Sequence, residues 1–151
     1  MTRSQMHTLM TALGDEHLVR PSAVIEDATE VRIRDTFVNV EWDAEAQRFE
    51  LTVPLPGLID DDDDSRLRLY RALLAWQWRE AGGADRLGFG VVEALGQTVG
   101  MASLAASPTL DAHDLKALLV EVHDDLQAVW IECCTQVLAE QAGAPTALRR
   151  A

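Results

Sequence analysis

The chain lacks any apolar run near the ~20 residues that a helix needs to cross a bilayer, and it has only two cysteines and few basic residues. Each shortage excludes something. Without a long apolar run there is no candidate for a membrane-inserted helix. With 13 Lys and Arg against 25 Asp and Glu, a net charge of -12 and a pI near 4.6, partners bearing phosphate backbones or anionic headgroups are repelled, which argues against nucleic acid and membrane surfaces. Cys133 and Cys134 are adjacent in a helical pattern. Neighbours on a helix point ~100° apart, so no disulfide is expected between them, and two free thiols fit a reducing cytoplasm. Cys133 falls on the core side and Cys134 on its flank. The N-terminal MTRSQMHTLMTALG has one arginine and a broken helical pattern, and does not read as a signal peptide.

Chemical motifs are missing as well. There is no GxSxG, no nucleophile beside a base and no paired carboxylates on a recognisable scaffold, so no catalytic residue is assigned and no cofactor is expected. His7, His17, His113 and His123 are scattered, without the close helical spacing to a carboxylate that zinc requires. They read as surface histidines. His113 and His123, ten residues apart, would lie about 15 Å from each other along a helix. The five aspartates of 60–64 lack the alternating ligands, central glycine and distal glutamate of a calcium loop. They read as a solvated loop that favours the positive end of the following helix. Gly88 and Gly90 make a lone GFG with no phosphate-binding helix behind it. No metal is expected.

What the chain has is patterned hydrophobicity, 48% of 151 residues with 25% charged, enough for one globular domain with a proper core. In 5–13, Met6, Leu9, Met10 and Leu13 keep helical spacing up to Gly14. A connector containing Pro21 follows. Val31, Ile33, Phe37, Val38 and Val40 suggest two short strands meeting near Asp35 and Thr36. A polar turn spans 42–48, and Phe49, Leu51 and Val53 alternate as a third strand that Pro54 and Pro56 stop. A helix over 66–80 has Asp64 or Ser65 as its N-cap and ends at Ala81, Gly82 and Gly83. Strands over 87–94 and 98–105 flank a turn at Gly96. A helix from Asp111 to about Gln141 has Leu115, Leu118, Leu119, Val122, Leu126, Val129, Trp130, Cys133 and Val137 in 3.6-residue period, with Gly143 and Pro145 as a stop. The order is α-β-β-β-α-β-β-α, an α+β fold in which helices pack on a twisted antiparallel sheet.

The helix over 66–80, RLRLYRALLAWQWRE, carries two apolar stripes. Leu67, Tyr70, Leu74 and Trp78 share one face, and Leu69, Leu73 and Trp76 another. A surface helix needs one stripe for its own core, and a second rich in Leu and Trp needs another cover. A second copy of the chain is the expected cover, giving a homodimer through this middle helix.

Together these elements resemble the class I chaperones of bacterial type III secretion, the Tir-chaperone family. The resemblance runs from about Met6 to Gln141. It is carried by the helix ending in ALG, the meander from VRIRDTFVNVEWD to RFELTVPLPGL, the RLRLYRALLAWQW helix and the last helix LDAHDLKALLVEVHDDLQAVW. The chain departs from the family pattern in its five-Asp loop and in the residues past Gly143. The resemblance implies a non-enzymatic homodimer in the cytoplasm of a Gram-negative bacterium. Such a dimer holds the N-terminal chaperone-binding segment of one or more secreted virulence effectors in extended form, keeps it soluble, and presents it to the secretion ATPase or sorting apparatus. On this chain the family's dimer interface corresponds to Leu69, Leu73, Trp76, Phe89 and Val91. Its effector grooves correspond to Met6, Leu9, Met10 and Leu13 on the first helix and Val31, Ile33 and Phe37 on the first strands, capturing peptide by backbone pairing and shallow pockets. The domain is expected over 1–143, with 144–151 as a flexible tail. Two other classes stay open. A small α+β enzyme without a motif would show a deep polar pocket, and an adaptor subunit of a larger complex would also expose apolar stripes.

Overall fold

Side chains just ahead of each apolar run start the helices. In α1 (Arg3–Glu16), Thr2 Oγ1 accepts the Gln5 N–H at 3.2 Å while Gln5 Oε1 accepts the Thr2 N–H at 2.7 Å, a reciprocal cap of two otherwise orphaned donors. In α2 (Asp63–Glu80), Asp62 Oδ1 accepts the Ser65 N–H at 2.8 Å. The cap is thus Asp62, ahead of the expected Asp64 or Ser65, because Ser65 already lies inside the first turn and is buried. In α3 (Ala112–Gly143), Asp111 Oδ1 accepts the Asp114 N–H at 2.8 Å.

The computed structural model describes residues 1–16, 18–22, 28–57, 62–80, 87–92 and 96–143. His17, Asp60, Asp61, the expected helix end at Ala81, Gly82 and Gly83, and the expected tail 144–151 lie outside them. Among the described residues the strands are β1 (Val19–Pro21), β2 (Thr29–Ile33), β3 (Thr36–Asp43), β4 (Arg48–Pro54), β5 (Gly88–Val92) and β6 (Gln97–Ala105). They form one antiparallel sheet in the order β1-β2-β3-β4-β6-β5. The fold is α+β, as expected, with one addition. Strand β1 stands where a connector was expected, pairing Val19 with Val31 and Arg20 with Glu30. Three residues are too few to show a period, and Pro21 fits only because β1 is an edge.

Register decides which side chains meet. Val31 opposite Val38, Val40 opposite Leu51, and Phe49 opposite Leu104 put the apolar members of each strand on one face. Leu9, Met10 and Leu13 of α1 and Leu115, Leu119, Val122 and Leu126 of α3 close over that face in a single core. Gly100 is required beneath α3, since a Cβ there would stand 2.8 Å from both methyls of Leu126. A second, smaller core lies beyond it, where Leu69 and Leu73 of α2 meet Leu55 and the α3 residues Trp130, Cys133 and Val137. One 32-residue helix, ~48 Å long at 1.5 Å per residue, therefore serves both cores.

The turns are held by side chains. Arg34, at φ 52° between β2 and β3, takes a left-handed conformation that costs a non-glycine residue ~1–2 kcal/mol. Its guanidinium reaches α3, where Nε donates to Asp124 Oδ1 at 2.8 Å and the outer nitrogen to Oδ2. Between β3 and β4, Asp43 Oδ1 accepts the N–H groups of Glu45 and Ala46 at 2.9 and 2.8 Å.

Candidate functional site

No group of three or more His, Cys, Asp or Glu among the described residues could hold a metal, and none of their helices is long and apolar enough to cross a membrane. The surface features that could do work are apolar. Both stripes of α2 are present, and the one expected at the dimer contact is turned inward. Leu69 and Leu73 are 1% and 3% exposed, packed on α3 inside the chain's own second core. It is the other stripe that faces outward, with Leu74 at 64% and Trp78 at 86% exposed and Leu67 beside them. Of the expected dimer residues, Trp76 is half-buried with its ring edge-on to Phe89 at 5.7 Å between centroids, and Val91 is exposed. Leu69 and Leu73 cannot meet a second copy without unpacking α2 from α3.

Next to this stripe the sheet ends. Among the described residues strand β5 pairs with β6 on one side only, which leaves its outer edge as a place where a further strand could add. Between α2 and β5 lies a groove of about 250 Å³ lined by Tyr70, Leu73, Leu74, Gln77, Phe89 and Val91, with Gly90 and Thr98. Leu74 and Val91 line this shallow apolar groove beside a strand edge that no described residue pairs with. That combination can capture a strand or a second sheet.

The expected effector residues do not form one groove. Met10, Leu13, Val31 and Ile33 are buried in the main core, because α1 and α3 close over the face that those residues share. Phe37 lies on the opposite sheet face, since it precedes Val38 in β3 and successive strand residues alternate. There it carries the Arg20 guanidinium 3.8 Å above its ring. Met6 is half-buried at the margin of the core. Leu9, though mostly buried, lines a groove of about 340 Å³ between α1 and the start of α3, with Met1, Thr8, Ala12, Pro108 and Leu110. That groove is the part of the expected α1 site that remains open.

A third apolar surface runs along the second half of α3, and no expected site residue marks it. Ile131 and Leu138 are 61% and 47% exposed, and Cys134 between them is half-buried. With Trp130, Val137 and the exposed Pro56 and Gly57 they line a groove of about 330 Å³. Hydrophobic periodicity runs nearly all the way round this helix, so the core stripe hid the second one.

A polar groove lies between α2 and α3, where Arg68 pairs with Asp64 at 2.8 Å and Glu140 at 4.0 Å beside Arg71, an exposed ion-pair network. Burial pushes both cysteine thiols up, away from the thiolate that a nucleophile needs. His123, expected on the surface, is buried, with Nδ1 at 3.0 Å from Asp124 Oδ1. The Arg34 guanidinium, and then His123, hold the Asp124 carboxyl well below the usual carboxylate range. This is a structural pairing of turn to helix.

No family model matches the chain, and no curated protein matches it. Among solved structures it is similar to a chain in a structure described as that of the HopA1-SchA chaperone-effector complex. The TM-score is 0.54 and the identity 18%, over 87% of this chain and 98% of that one. At that identity the likeness establishes a shared α+β fold.

Proposed function

We propose that this chain is a non-enzymatic chaperone of type III secretion, acting in the cytoplasm as a homodimer that holds a segment of one or more secreted effectors. The observation that carries the reading is the fold shared along nearly all of both chains with a protein from a chaperone–effector complex. It is supported by apolar side chains exposed beside an unpaired strand edge. The dimer contact is assigned to Leu67, Leu74, Trp78 and Val91, with Trp76 and Phe89 behind them, in place of Leu69 and Leu73. The effector segment is assigned to the groove at Leu9 between α1 and the start of α3, and Met6, at the margin of the core, and Phe37, on the far face of the sheet, are left out of it.

Light scattering should give about twice 16.6 kDa, and the double variant Leu74→Asp, Trp78→Asp should be a folded monomer. A monomeric wild type would remove the dimer from the reading. Co-expression with effector genes encoded nearby should yield a complex that survives purification and is weakened by Leu9→Asp. Failure of every such candidate to co-purify would leave the chaperone reading without support.

A further inference from the structure

Strand β1 is slight for the place it holds. It has three residues, of which only Val19 packs against the main core, yet it covers the outer edge of β2 and ends the sheet. The Arg32 N–H donates to the Leu18 carbonyl at 3.0 Å and the Ser22 N–H to the Ala28 carbonyl at 2.9 Å. Ladder bonds alternate along an antiparallel pair, so the backbone of residues 18, 20 and 22 turns toward β2 and that of Val19 and Pro21 turns outward. Pro21 has no N–H to offer there, which blunts the outer side of β1 against a further strand. A partner strand therefore reaches β2 by taking the place of β1.

What β1 brings to that place is mostly polar. On the sheet face away from α1 and α3, Glu30 and Asn39 are buried opposite each other. Arg20 Nε donates to Glu30 Oε2 at 2.5 Å, its guanidinium lies 3.8 Å above the Phe37 ring, and Ser22 Oγ donates to Asn39 Oδ1. The ion pair is lopsided, with the Arg20 side chain 51% exposed and that of Glu30 6%. Arg20 can therefore leave for water at small cost, whereas a carboxylate so buried is stable only with a cation beside it. An Arg or Lys that an extended segment lays opposite Glu30 and over Phe37 makes the same contacts. A longer segment also gains ladder, because β1 is registered against only Thr29, Glu30 and Val31 of the five residues of β2.

We propose that β1 is a displaceable stand-in for a partner strand: it closes the outer edge of β2 in the free chain and gives way to an extended segment whose Arg or Lys takes over the contacts of Arg20 with Glu30 and Phe37. This rests on the reading of the chain as a partner-binding chaperone. It goes beyond that reading in giving the free chain a self-closed state and in naming Glu30 as the residue that selects the charge of the incoming segment.

Two measurements on the full chain test it. In hydrogen exchange on the free wild type, the Ser22 and Arg32 amides, which bond across the β1–β2 seam, should exchange about a hundredfold or more faster than the amides of the β3–β4 ladder. The double variant Pro21→Cys, Thr29→Cys bridges opposed residues of the two strands at a pair without ladder bonds, where the Cα separation suits a disulfide. Oxidised, it should slow both amides to the ladder rate, and reduction of the same sample should release them. The second measurement is fluorescence anisotropy with a synthetic peptide copying residues 16–23 of this chain and a twin in which Glu replaces its Arg. Arg20→Glu sets a like charge against Glu30, so this variant should bind the Arg peptide about tenfold or more tighter than wild type does, and neither protein should bind the twin. Seam amides as slow as the ladder in wild type would overturn the proposal even if Arg20→Glu did not fold. So would equal binding of the two peptides, no binding by a folded Arg20→Glu chain, or a disulfide formed between two chains in place of within one, which would mean that copies exchange β1. Because no effector is used, failure here beside successful effector capture sinks this inference alone.

Discussion

The two cores of this protein are built to different standards of closure. In the main core, α1 and α3 cover one face of the sheet so fully that Leu13, Val31, Val38, Phe49, Val53, Leu115, Leu119 and Leu126 have no exposed surface. The second core buries Leu69, Leu73, Trp130 and Val137, but the same two helices that close it leave Leu67, Leu74, Trp78, Ile131 and Leu138 outside. Monomeric proteins expose few contiguous apolar patches of size. The contrast teaches that the sheet under α1 and α3 is closed by the chain itself, while the α2–α3 layer leaves apolar surface that the chain does not cover.

The contrast breaks most sharply on truncating an aromatic in each region. Phe49→Ala should lose ~3–5 kcal/mol in urea unfolding, the cost of a cavity in a closed core. Trp78→Ala, at a similarly large side chain, should lose under ~0.5 kcal/mol at low protein concentration. Its deficit should grow as concentration rises, because a dimer is stabilised by mass action. Equal losses at the lowest concentration would mean that Trp78 serves the fold, and the distinction between the regions would fall.

The same contrast explains what could be read before the structure. The closed region was legible. Alternation in Phe49, Leu51 and Val53, the Asp111 and Asp114 start and the Gly96 turn all report on local geometry, and β4, α3 and the β5–β6 turn lie where they indicate. The open region was legible only in part. Spacing revealed that α2 has two apolar stripes, but Leu and Trp on each are equally hydrophobic, and only the packing of Leu69 and Leu73 with Leu55, Trp130, Cys133 and Val137 shows which stripe faces α3. Met10, Leu13, Val31 and Ile33 show the limit from the other side, since periodicity marks burial without saying whether the cover is the chain or a ligand. The exposed row on α3 carried no separate signal at all.

A smaller effect sharpens the comparison within α3, which serves both regions. Removing the Asp111 cap with Asp111→Ala should lower stability by ~1 kcal/mol, whereas Asp111→Ser, which caps about as well, should change it by only a few tenths. Hydrogen exchange should speed up in the first turn of α3 over the closed core, with the last turns at the groove unaffected. Loosening that spread to Leu138 would show that the two halves of the helix respond as one unit.

The smallest effect lies at the junction, where Asp124 of α3 holds the left-handed Arg34 turn. The Asp124 carboxyl is held below its ordinary value by Arg34 and then by His123. Its contribution is therefore fully present above the unfolded value of ~3.9 and drains away as pH falls below it toward the lower folded value. Both partners are solvent-exposed, so screening keeps the effect small. Asp124→Asn should have a slightly lower melting temperature than wild type at pH 7, and the gap should narrow steadily below about pH 4. A gap that stayed constant down to pH 3, or widened, would mean that the carboxylate charge does not hold the turn. The closed region would then owe the Arg34 conformation to the backbone of the β2–β3 hairpin alone.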